Sequence, residues 1–92
     1  MIAVQELDEA FAAHGFETRF QEVDTCTSYV VAHGGRELEI LDAVNADGSA
    51  FDPSAFFEAL LYMGGRTHTV TDALEGCETV PELVGAVAGH FN

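Results

Sequence analysis

Thr27-Ser28-Tyr29-Val30-Val31-Ala32-His33-Gly34-Gly35-Arg36-Glu37-Leu38-Glu39-Ile40-Leu41 is the stretch whose reading decides the fold. Residues 27–33 are β-branched and aromatic, the composition of a strand. Residues 36–41 alternate polar with apolar, the period of a strand with one face buried. The intervening Gly34-Gly35 is a two-residue hairpin signal, because a type I′ turn needs positive φ at both central positions. A two-residue turn also sets the register: His33 faces Arg36, Val31 faces Leu38, and Tyr29 faces Ile40. Those side chains share one face, which reads as core. Val30 and Ala32 share the other face with Glu39 and Glu37, which reads as solvent. A sheet with one apolar face must have helices over that face.

Upstream, Phe16, Thr18 and Phe20 alternate with Glu17, Arg19 and Gln21, a third strand joined through the polar link 22–25. Val4, Leu7, Ala10, Phe11 and His14 recur at helical spacing, which predicts a first helix over 4–14. Gly15 is placed to cap its C-terminus. Downstream, Asn45 to Ser49 reads as a loop. Asp52-Pro53 carries the chemistry of a helix start, Asp as N-cap and Pro at the first position. A second helix is expected over Ser54 to Met63, ending at Gly64-Gly65. Thr79 and Glu82 have capping-box spacing ahead of a third helix running to about His90, with Val80, Leu83, Val84, Val87 and Phe91 on one face. Residues 66–77 stay open: a short strand over 67–70 followed by a helical turn from Thr71 or Asp72 fits them. The expected fold is therefore a single α+β domain over residues 1–92: helix, three-stranded antiparallel meander, then two helices packed on one sheet face.

Within 92 residues there are 16 acidic side chains, three arginines and no lysine, for a net charge of -13. A field of this sign repels nucleic-acid phosphate and anionic lipid, so neither nucleic acid nor membrane is expected as a partner. The acids are spread singly or in pairs, whereas a docking surface built from charge shows a block of five or six. Lysine combines a long apolar stem with high rotamer entropy, both of which a brine-adapted surface avoids. At molar salt the Debye length is about 3 Å, which makes such an acidic coat tolerable. The composition resembles that of cytoplasmic proteins from salt-accumulating archaea. The N-terminal residues lack the basic and apolar regions of a secretory leader, and two cysteines are fewer than a secreted scaffold of this size uses. A cytoplasmic location with reduced thiols is the expectation, each cysteine serving as a small buried hydrophobe.

Five arrangements carry candidate chemistry. Asn45, Asp47, Gly48 and Ser49 echo the middle of a calcium loop. The first and twelfth ligand positions fall on Ala43 and Ser54, so a polar turn with Gly48 at positive φ is the better reading. Cys26, His33, His68 and Cys77 have no local metal-ligand spacing, and only convergence in space would make them a zinc site. Cys26 with His33 or His68, or Cys77 with His68, is a conceivable thiolate–imidazole pair without any nucleophile signature. Gly64-Gly65-Arg66-Thr67-His68-Thr69 joins flexible glycines to a cation, hydroxyls and an imidazole, so Arg66, Thr67 and His68 form the preferred anion site.

Finally, the expected second helix is apolar nearly all round: Phe56, Ala59, Leu60 and Met63 make one face, leaving Phe57, Leu61 and Tyr62 to be covered by another layer or a second chain. Gly85 and Gly89 add a smooth strip on the third helix for close helix approach. The element order resembles small chaperone- or adaptor-like α/β sandwiches, an analogy of order alone. The residues point to a non-enzymatic protein-interaction module. It is expected to be homodimeric through Phe57, Leu61 and Tyr62, or to bind another protein there. No catalytic residue, metal or cofactor is assigned. The alternative is a small-anion or metal-binding domain, with catalysis conceivable, around Arg66, Thr67, His68 and Cys77.

Overall fold

The computed structural model describes residues 1–56 and 58–91. The chain is α+β, with an antiparallel sheet and a few helices. A short strand β1 (Ile2–Ala3) leads into α1 (Val4–Ala13), then β2 (Glu17–Val23), β3 (Cys26–His33) and β4 (Arg36–Leu41). There follow β5 (Ala50–Phe51), β6 (Glu58–Met63), β7 (Arg66–Thr69), the single-turn α2 (Thr71–Leu74) and α3 (Val80–Ala88). The main sheet has five strands in the order β2-β3-β4-β6-β7, all antiparallel, and β1 pairs with β5 in a separate two-stranded ribbon.

The diglycine hairpin has the expected register, with His33 opposite Arg36, Val31 opposite Leu38 and Tyr29 opposite Ile40. Gly34 and Gly35 take φ of 60° and 81°, the pair of positive angles that this turn requires. Tyr29, Val31, Leu38 and Ile40 are fully buried beneath the helices. α1 ends as its sequence indicates. Gly15, at φ 84°, allows the Phe16 amide to donate to Phe11 O and the Gly15 amide to Ala12 O. That is a Schellman closure, and the apolar contact that accompanies it is the edge-to-face pair of Phe11 and Phe16, 6.0 Å between centroids. At the start of α3, Thr79 Oγ1 accepts from the Glu82 amide at 3.3 Å and donates to Glu82 Oε1 at 2.9 Å. Leu83, Val84 and Val87 are its buried stripe.

Among the described residues the second helix expected over Ser54 to Met63 is absent. Residues 58–63 form β6, a strand next to the sheet edge, and residues 66–69 return from it as β7. Asp52 does not cap a helix: its Oδ1 accepts from the Ser54 amide and hydroxyl, closing a local turn. Met63-Gly64-Gly65-Arg66 is a second diglycine hairpin, with φ of 59° and 75° at the glycines and Met63 opposite Arg66. The meander therefore has five strands and not three, and the layer over it is α1 and α3 with the short α2. Residues 66–74 hold the strand and helical turn that the sequence left open.

The outer sheet face also departs from expectation. Val30 is 1% exposed there, although no helix among the described residues covers that face. Arg19 donates to both carboxylate oxygens of Glu37 at 2.9 and 3.1 Å, Gln21 donates to Glu39 at 3.2 Å, and the Tyr62 hydroxyl donates to Glu39 at 2.8 Å. Their stems close over Val30, the way long charged side chains cover apolar surface while keeping their heads wet.

Candidate functional site

Alternation along β7 puts Arg66 and His68 on one face of the sheet and Thr67 on the other, so Arg66, Thr67 and His68 do not converge. The structure brings a different set together. Arg36 pairs with His33, the β4–β6 register continues to place Met63 beside Arg36, and Met63 pairs with Arg66. His33, Arg36, Met63 and Arg66 thus form one row across four strands, at the end of the sheet where both diglycine turns lie. A concavity of about 370 Å³ opens between the two hairpin tips, lined by Gly34, Gly35, Arg36, Met63, Gly64 and Arg66. Gly-Gly-Arg occurs twice in the chain, at 34–36 and 64–66, but only the strand order sets the two copies side by side.

Among the interface candidates, Leu61 is 5% exposed and packs into its own chain's core opposite Leu38. It offers nothing to a partner. Tyr62 points to the outer face and is 37% exposed. Its hydroxyl is held by Glu39, and burial followed by that hydrogen bond raises its pKa. Phe57 lies outside the described residues.

The four-way cysteine–histidine cluster is ruled out by geometry. Cys26 and His33 sit at opposite ends of β3, seven residues or about 23 Å apart, on opposite faces. No metal-ligating cluster of three or more His, Cys, Asp or Glu occurs among the described residues. Cys26 is exposed, not the buried hydrophobe expected, and Cys77 is half-buried. Burial first, and then the charge of Glu82, pushes the Cys77 thiol up, the reverse of what a nucleophile needs. In the loop at 45–49, Asp47 Oδ1 accepts from the Ser49 amide at 3.0 Å and hydroxyl at 2.5 Å, and Asn45 Oδ1 accepts from the amides of Ser49 and Ala50. These bonds to Ser49 hold the Asp47 carboxyl below its usual range. The oxygens serve the turn, and Gly48 takes φ 76° as expected. Gly85 lines a groove of about 330 Å³ with Ala10, His14, Pro81, Val84 and Ala88. A Cβ added at Gly85 would meet nothing within 4 Å, so no helix presses on that strip.

The sheet edges are what sequence reading missed, because an edge exists only once strand order is known. The amide of Val70 donates to Ala59 and that of Asp42 to Thr27, which sets the alternation of inward and outward amides through the whole sheet. On edge strand β2, residues 17, 19, 21 and 23 bond to β3, and the amides and carbonyls of Thr18, Phe20 and Glu22 point away from it. β2 is seven residues long with continuous register, no bulge and no proline. Phe20 (36%) and Val23 (60%) are two of the chain's exposed large hydrophobics. On the opposite edge only Thr67 and Thr69 of β7 face outward.

No helix among the described residues is long and apolar enough to cross a membrane. No family model, curated protein or solved structure matches the chain.

Proposed function

We propose that the chain is a non-enzymatic protein-interaction module of a brine-adapted cytoplasm that pairs with a second copy of itself along β2. The observation that carries this reading is the unprotected edge. Natural sheets blunt such edges with bulges, proline or charge; β2 has no bulge and no proline, and its charges Glu17, Arg19 and Glu22 meet uncharged residues in the pairing that follows. The strand is also self-complementary. An antiparallel pairing centred on Phe20 sets Phe20 against its copy, Thr18 against Glu22, Arg19 against Gln21 and Glu17 against Val23. No like charges face each other, and all the outward backbone groups find partners. Two five-stranded sheets become one of ten, with the helices of both copies on one side. α1 packs beside β2, with Asp8 bonded to Thr18, so the acidic α1 helices of the two copies lie on the same side of the junction, and pairing needs salt.

Light scattering after size exclusion in molar KCl tests the proposal. A dimer is expected. Glu22→Pro removes an outward amide without touching the β3 ladder or any side-chain hydrogen bond of Glu22, and should give a monomer with unchanged circular dichroism. Tyr62→Glu should leave the dimer intact. A monomer for the unmodified chain at high concentration would overturn the proposal, as would a dimer indifferent to Glu22→Pro. Dissociation by Tyr62→Glu alone would move the interface to the outer sheet face.

A further inference from the structure

We infer that the concavity between the two diglycine hairpins binds a phosphoryl group of a small molecule. The chain has three arginines against 16 acids. Arg19 is consumed by Glu37 in a two-pronged ion pair on the outer face. Arg36 and Arg66 have no carboxylate within 4.0 Å among the described residues, and no carboxylate lines the concavity that they share. In a molecule this acidic, two arginines left without carboxylate partners and placed together are an electrostatic exception. They stand on β4 and β7 with one strand between, about 10 Å apart at the backbone, so an anion seated over Met63 lies between two guanidinium forks.

The turns supply a third side. None of the amides of Gly34, Gly35, Gly64 and Gly65 donates within the chain among the described residues, and an added Cβ at any of these glycines would meet open space, so a ligand can come up to the backbone. Successive turn amides left without an acceptor in the chain are groups that hold anions. Two forks and a set of amides ask for an acceptor with at least three oxygens in different directions. A carboxylate has two, which a single arginine fork satisfies, whereas a phosphoryl group has three. His33, in the same row, and His68, two residues beyond Arg66 on the same face, add donors at the rim. A volume near 370 Å³ suits a small molecule.

The test is a titration of the isotope-labelled protein with inorganic pyrophosphate, inorganic phosphate and citrate at constant ionic strength in KCl. Pyrophosphate should shift the amides of Gly34, Gly35 and Gly64, which line the concavity. Arg36→Gln and Arg66→Gln should each weaken it at least about tenfold, the loss expected for a charge-assisted pair, and Arg19→Gln should leave it unchanged. Binding of phosphate as tight as that of pyrophosphate identifies a single phosphoryl group as the ligand, and weaker binding identifies a polyphosphate. Equal shifts from citrate would overturn the phosphoryl assignment. No saturable shift, or equal weakening by Arg19→Gln, would overturn the site. Dimer formation along β2 is independent of these residues, so the two proposals fail separately.

Discussion

Tyr29 has no exposed surface, and its hydroxyl donates to Asp8 Oδ1 at 2.7 Å, an oxygen that also accepts from Thr18 at 2.9 Å. A phenol that deep must keep its proton: burial, and after it the Asp8 hydrogen bond, raises its pKa far above the ordinary value. A group raised on folding contributes stability that is full below its unfolded pKa, about 10, and is lost as the pH rises through the folded value. The fold should therefore weaken above about pH 10, and Tyr29→Phe should move that alkaline transition upward while lowering stability at neutral pH by about 1–2 kcal/mol. Chemical denaturation across pH 7–11 checks both. Two glycines give opposite expectations. At Gly48 the φ is 76° and an added Cβ would sit 2.9 Å from the Phe20 ring, so Gly48→Ala should cost about 1–3 kcal/mol. At Gly85, inside α3 with open space around it, Gly85→Ala should stabilise by about 0.5–1 kcal/mol, raising Tm by several degrees.

Residues 36–41 and 55–63 differ sharply in apolar content, and only the first shows its element in its own pattern. Residues 36–41 alternate, and a period of two has one interpretation. Residues 55–63 are nearly all apolar, a pattern that helix and strand share, and Asp52-Pro53 then argued for a helix. In the structure Ala59 and Leu61 face the core while Leu60 and Tyr62 face outward, so apolar residues on both sides of one strand produced the continuous run. The turn distinguishes the two: Gly64-Gly65 repeats the positive φ pair of Gly34-Gly35, which joins strands and not a helix to a loop. Leu61→Ala should accordingly cost about 2–4 kcal/mol of stability, measured by urea unfolding, and leave the oligomeric state in molar salt unchanged. A variant that lost association at full stability would contradict the assignment of Leu61 to the core. Of the anion site, Arg66 and His68 were legible in the sequence. Arg36 was not, because its neighbour Met63 is 27 positions away and the two meet only through the β4–β6 pairing.

At the scale of the molecule, the carboxylates occupy both layers. Glu6, Asp8 and Glu9 lie on α1, Glu17, Glu37, Glu39 and Glu58 on the outer sheet face, and the others are in loops, on the β2 edge and at the helix starts. No plaque forms, and none of the 16 is fully buried. Cations offset little of this: the one ion pair among the described residues, Arg19–Glu37, is nearly half exposed and adds at most about 1 kcal/mol. Repulsion is then left to salt. The thermal transition should fall as KCl drops below about 0.5 M, because the Debye length grows and repulsion between the carboxylates is screened less. A transition that holds its temperature at low ionic strength would contradict a brine-adapted surface.

Legible from the residues alone were the central hairpin and its register, both long helices with the Gly15 closure of α1 and the Thr79 cap of α3, and the dispersed acidic coat. Each of these depends on residues close in the chain or on composition alone, and local chemistry is enough to specify them. Tertiary structure decided that 58–63 is a strand, that Val30 is sheltered by polar stems, that β2 is an open edge, and that Arg36 stands in one row with Arg66. Each of those follows from which strand lies beside which, and the free energy that selects strand neighbours comes from burying distant apolar faces together.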